Sequence, residues 1–204
     1  QPPPDHGASS YKGSGRLAGR RALITGGDSG MGRAAAIAYA REGADVAINY
    51  FPSEEPDAQE VIALIREAGR KGLALPGDLR DEAFCKTLVT DAVAGLDIVV
   101  CNAGRQQAQQ SILDLSSDDF DATMKTNIYA MFWLTKAAVP HLQPGSSIIQ
   151  TTSVQAYDPS EGLVDYAITK AAGLSFTKSM AKQLGPKGIR VNGVEQIGRA
   201  ACRE

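Results

Sequence analysis

The chain has few of the residues that bind metals or form disulfides: three cysteines and two histidines among 204 residues. Cys85, Cys101 and Cys202 are odd in number and far apart, so they make no disulfide framework, which fits a reducing, cytoplasmic setting. His6 and His141 stand alone, no Cys-x-x-Cys occurs, and no metal site is expected. An excess of charge of one sign is also missing. Lys and Arg number 21 against 23 Asp and Glu, a formal net charge of −2. Nothing electrostatic therefore draws the chain to nucleic acid or to an acidic membrane surface. No apolar run is long enough to span a bilayer, and no signal peptide is recognisable at the start. The first residue is Gln1 rather than Met, so the start is expected to be processed or clipped.

What is present is ordinary globular composition, 43% hydrophobic, at a length that suits one α/β domain. Residues 1–19 are rich in Pro, Gly and Ser and read as an extended arm, either free or docked on a neighbour. Beyond it, short apolar runs alternate with helical patterns. The runs Ala22–Thr25, Asp45–Tyr50, Leu73–Pro76, Leu96–Cys101, Ser147–Thr152 and Ile189–Val194 read as buried parallel strands. Helices are expected over Gly30–Glu42, Pro56–Ala68, Asp81–Val93, Asp118–His141 and Val164–Leu184. Strict alternation predicts right-handed βαβ units in a Rossmann-type doubly wound sheet, order 3-2-1-4-5-6, with helices on both faces.

Glycine is the informative excess, with 21 residues. The first strand runs into Thr25-Gly26-Gly27-Asp28-Ser29-Gly30-Met31-Gly32-Arg33, and an Ala-rich helical segment follows at once. Such a turn lets backbone approach a pyrophosphate while the helix N-terminus offers free N–H groups. Gly26, Asp28, Ser29, Gly30 and Met31 are thus candidate dinucleotide contacts. An acidic residue ending the second strand would bond the ribose hydroxyl of NAD and repel a 2′-phosphate. The chain has Asn49-Tyr50-Phe51-Pro52-Ser53 there, so NADP is favoured and NAD stays open. Tyr50, Ser53 and Arg33 are the candidates near that phosphate. Asp78 and Leu79 follow the third strand and Asn102-Ala103-Gly104 the fourth, at the carboxyl ends where such sheets bind ligands. Asp78 suits either an adenine amine or the N-cap of the next helix.

Tyr166-Ala-Ile-Thr-Lys170 places a phenol and an ammonium on one helix face. Ser153 stands at the end of the preceding strand and can converge with them. Hydride transfer to a carbonyl leaves an alkoxide to be protonated. A tyrosine acting near neutrality needs its pKa lowered by roughly 2–3 units, about 3–4 kcal/mol. A cation at ~4 Å in an effective dielectric of ~20 supplies about that much. Ser153 would hold the substrate oxygen.

These motifs together resemble the short-chain dehydrogenase/reductase family, in family order from about Gly19 to Val194. The resemblance implies a Rossmann fold and a nicotinamide cofactor held partly by Tyr166 and Lys170. It also implies a fourth catalytic residue, Asn127, which would kink its helix and hold a water linking Lys170 to bulk. Gly13-Ser-Gly-Arg-Leu17 after a Pro-rich arm is similar to bacterial members described as glucose-dehydrogenase-like proteins or NADP-dependent aldehyde reductases. The implied partner is a small carbonyl or alcohol substrate, and a homo-oligomer is expected of the full-length form. The pattern breaks after Asn192. The family's Pro-Gly and substrate-covering segment are replaced by Gly193-Val194 and residues 195–204. Those last residues read as a non-native tail on a truncated chain, since Ile197–Glu204 resembles a translated sequencing-adapter end with one substitution.

Overall fold

The computed structural model describes residues 4–92 and 95–196. Six strands, β1 (Arg21–Thr25), β2 (Asp45–Tyr50), β3 (Gly72–Pro76), β4 (Ile98–Cys101), β5 (Ser147–Ser153) and β6 (Arg190–Gln196), form one sheet. Their order is β3-β2-β1-β4-β5-β6, and every pairing is parallel. The strand pattern therefore reverses between β1 and β4, which opens a crevice at their carboxyl ends. The apolar runs are continuous because both faces are covered: β2 is buried from Val46 to Tyr50.

Helices α1 (Gly30–Arg41) and α2 (Glu55–Glu67) cover one face, burying Ala36, Ala40, Val61 and Ile65 against Ile24, Val46 and Ile48. Helices α3 (Glu82–Ala92), α4 (Ser117–Met124), α5 (Ala130–Ala138) and α6 (Val164–Leu184) follow in the chain. Leu88, Leu134 and Leu184 pack against Leu23, Val99 and Ile148 on the other face. The single helix expected over Asp118–His141 is instead α4 and α5 joined by a π-helical turn, Lys125–Tyr129, and it ends at Ala138. The inserted residue turns the later side chains by one helical position, and no residue type marks where such a slip falls. The expected end of the third helix at Val93, Cys202, and the tail from Ile197 lie outside the described residues. Glu195 and Gln196, expected in that tail, extend β6 alongside Thr152 and Ser153.

The arm lies on its own chain. The buried Glu42 carboxylate, just past α1, accepts from the Tyr11 hydroxyl, from the backbone N–H of Ser14 (3.0 Å) and Arg16 (2.9 Å), and from the Arg16 guanidinium. Arg41 donates to the Ala8 and Tyr11 carbonyls. The Tyr11 hydroxyl bond, foremost, holds the Glu42 carboxyl down at a pKa of about 2.

Candidate active site

The glycine turn works through what its residues lack. Gly26 takes φ +60°, a left-handed backbone that a side chain would strain. A Cβ on Gly32 would fall 1.8 Å from the Gly26 carbonyl oxygen, so the first turn of α1 rests directly on the loop. Ser29 precedes α1 without capping it by its side chain, and the first turn carries no acidic residue. The N–H groups there stay available to an anion at the positive end of the helix dipole.

This turn borders an open cleft. Gly26, Asp28, Ser29, Gly30 and Met31 line it, as do Asp78, Leu79, Asn102, Ala103 and Gly104. Tyr50 and Ser53 do not. Side chains alternate along β2, so Tyr50 turns away from the cleft with Ile48 and donates to Glu55 at 2.5 Å. Burial, then the Glu55 bond, pushes its phenol up to about 12. Ser53 is exposed on the short 3-10 turn Pro52–Glu54. Asn49, Phe51 and Glu54 line that part of the cleft instead, and strand alternation was the signal for the first two. Arg33 is not a lining residue and pairs with Glu60 at 3.0 Å.

Asp78 is gripped by Arg80, which donates from its backbone N–H at 2.9 Å and from its guanidinium at 2.6 Å. That side-chain bond holds the Asp78 carboxyl below its ordinary range. The N-cap role falls to Asp81, which accepts from Ala83 N–H at 2.8 Å. Asn102 fastens three strands. Its amide donates to the Thr25 and Gly26 carbonyls at 3.1 and 3.2 Å, and its oxygen accepts from the Thr151 hydroxyl at 3.1 Å.

Ser153 closes β5, and its hydroxyl accepts from Gln155 N–H at 3.3 Å. Tyr166 and Lys170 share one face of α6, with Lys170 Nζ 5.1 Å from the Tyr166 ring centre. The buried Lys170 also donates to the Thr151 carbonyl at 2.7 Å. Gly104 brings the β4 loop against this group, since a Cβ there would lie 3.9 Å from Lys170 Nζ and 3.6 Å from Asn127 Oδ1. Asn127 sits in the π-helical turn with its amide engaged. It accepts from Arg105 N–H at 2.7 Å and donates to the Arg105 carbonyl and the Thr169 hydroxyl, each at 3.0 Å. Gln150 Nε2 and Thr152 Oγ1 are buried polar atoms without a protein partner. Both residues line a small cavity that Asn127 and Lys170 also line, with room for one water.

A short chain dehydrogenase family model matches residues 20–198. The chain belongs to that family. It is 58% identical over 194 residues to the Escherichia coli uncharacterized oxidoreductase YghA, an alignment covering 94% of this chain and 66% of that protein. It is 42% identical over 199 residues to NADPH-dependent aldehyde reductase 1, chloroplastic, of Arabidopsis thaliana, covering 94% of this chain and 69% of that one. Among solved structures, a short chain dehydrogenase from Burkholderia cenocepacia in complex with NADP superposes with a TM-score of 0.83. That pair is 44% identical, with 88% of this chain and 74% of that chain covered. The chain thus spans about two thirds of the length of the curated relatives it matches.

Proposed function

We propose that the chain carries the cofactor site and catalytic residues of an NADP(H)-dependent oxidoreductase that interconverts an aldehyde or ketone and an alcohol. The observation that carries this reading is the placement of Lys170 Nζ over the Tyr166 ring, beside the loop Asn102–Gly104 that lines the cleft. The glycine cradle and the uncapped start of α1 fit a dinucleotide pyrophosphate. No carboxylate stands in Asn49–Phe51 to repel a 2′-phosphate, and the Glu54 carboxylate that lines the cleft there accepts from the Phe51 N–H at 3.2 Å. The NADP in the Burkholderia structure and the NADPH in the Arabidopsis relative's name support the same preference.

When bound, the nicotinamide supplies or accepts the hydride. The chain's own residues do the rest. Tyr166 gives a proton from its hydroxyl to the substrate oxygen, and Ser153 holds that oxygen by a hydrogen bond. Lys170 stabilises the phenolate by its charge and contacts the cofactor ribose. A water that returns the proton would fit the small cavity that Asn127 lines together with Lys170, Gln150 and Thr152, with Asn127 as its anchor.

Exposed apolar residues on the helices, Phe132 on α5 and Ile168 on α6, support association into a homo-oligomer. Cys85 and Cys101 are free, which suits the cytoplasm.

The test is nicotinamide fluorescence on mixing with NADPH, followed by oxidation of NADPH with a panel of aldehydes. Tyr166→Phe should bind NADPH as before while turnover falls by ~10²–10⁴-fold. Near-normal turnover by Tyr166→Phe would remove the assignment. A second reading follows from the chain's shorter span: binding without turnover in the unaltered chain would mark a dinucleotide-binding protein.

A further inference from the structure

Asp165 is an expensive residue in its position. Its carboxylate is 1% exposed, one residue before Tyr166, in the first turn of α6. Burial of a charge is costly unless it is hydrogen-bonded and compensated. A serine or threonine hydroxyl would be enough to satisfy a helix N-terminus. Here Oδ1 accepts from the Tyr166 N–H at 2.8 Å, and Oδ2 accepts from the Thr123 hydroxyl at 2.6 Å.

Thr123 belongs to α4 and is fully buried. Its oxygen accepts from Arg105 Nη1 at 2.9 Å. A hydroxyl set between a guanidinium and a carboxylate transmits both charges, and bonds to ionised groups are roughly twice as strong as neutral ones. The Arg105 guanidinium is fixed in turn by Asp119, through its carboxylate at 2.5 Å and its carbonyl at 3.0 Å.

The other side of Tyr166 leads back to the same arginine. The Tyr166 carbonyl accepts from the Thr169 hydroxyl at 2.7 Å, and that hydroxyl accepts from Asn127 Nδ2 at 3.0 Å. Asn127 is bonded in both directions to the backbone of Arg105. Arg105, Thr123, Asp165, Tyr166, Thr169 and Asn127 therefore close a ring of hydrogen bonds. Tyr166 is held in it by its N–H and by its carbonyl, and Arg105 lines the cleft directly after the loop Asn102–Gly104.

We infer that Arg105, Thr123 and Asp165 are positioning residues for Tyr166, fixing the turn that carries the phenol against the cofactor loop through a charge-assisted ring. The inference rests on the reading of Tyr166 as proton donor, because only then does sub-ångström placement of this turn bear on rate. A displacement of about 1 Å at a reacting group costs on the order of a hundredfold.

The test must separate placement from stability and from turnover. Incorporating 3-fluorotyrosine gives each tyrosine a ¹⁹F resonance, and the one lost in Tyr166→Phe belongs to Tyr166. Thr123→Val removes only the hydroxyl bridge and Thr123→Ser keeps it. In Thr123→Val the Tyr166 line should shift or broaden while the Tyr39 line stays. NADPH affinity should hold, and turnover should fall by about ten- to a hundredfold. Thr123→Ser should restore both line and rate. Arg105→Gln opens the ring from its partly exposed side and should move the same line, so it decides the matter if Thr123→Val does not fold. A loss of melting temperature with the Tyr166 line and the rate unmoved in either folded variant would overturn the inference. Movement of the line in a chain whose unaltered form never turns over would sustain the ring and defeat the functional reading.

Discussion

The two halves of the candidate site are built on opposite plans. Around the glycine turn the geometry comes from missing atoms. Gly32 lets a helix rest on a carbonyl, and Gly27 sits where a Cβ would come 2.5 Å from Ile48 Cγ2. Around Tyr166 it comes from side chains that bond one another across α4, the π-helical turn and α6. A site made by close backbone approach tolerates no addition. A site made by side-chain bonds tolerates isosteric change and fails when one donor or acceptor goes.

That contrast can be broken at several points. Gly32→Ala should be the most damaging change among the glycines of the turn, because the new carbon meets backbone that cannot step aside. A cost of about 1–3 kcal/mol or more is expected, seen as a lower melting temperature together with loss of NADPH fluorescence enhancement. Next comes Phe51→Asp, which sets a carboxylate in the cleft at the end of β2. It should reverse the preference from NADPH to NADH by about tenfold or more, read by titrating both cofactors. The same change at Tyr50 should instead unfold the region, since that side chain is 2% exposed beneath Glu55. Gly30→Ala sharpens the comparison from the other side. Its Cβ meets nothing within 4 Å, and only the φ of +51° opposes it. The stability cost should be roughly 1–2 kcal/mol, and NADPH should bind more weakly because Gly30 lines the cleft.

The mildest effect is expected at Glu42, far from the chemistry. Its carboxyl is lowered from an ordinary 4.5 to about 2, so its bonds stabilise the fold above pH 4.5 and are lost as pH falls toward 2. Glu42→Gln should melt earlier than the parent at neutral pH, and the gap should close across that acid window. A gap that is constant with pH would show that the carboxylate charge is not what the arm uses.

Much of the fold could be read ahead because strand and helix periods alternate without exception from Arg21 onward. The glycine turn was legible for a related reason: its function is its composition. Tyr50 ends β2 beside the cleft, yet its parity along the strand matches Ile48 and turns it into the core. Arg105, Thr123 and Asp165 left no local mark. Arg105 and Thr123 are separated by 18 residues, Thr123 and Asp165 by 42, and each alone reads as an ordinary polar residue. The arm misled by composition, since its Gly and Ser residues resemble a loose segment while their backbone N–H groups converge on Glu42.

Helix α1 is held at both extremities, by the glycine turn at Gly30 and by the arm just past Arg41. Its 12 residues make a rod about 18 Å long. Pivoted at the arm, a tilt of only about 5° would swing Gly30 by about 1.5 Å, as far as a phosphate seat can move before its bonds are lost. The segment with the least regular sequence in the chain therefore bonds the far end of the helix that begins at its most regular motif.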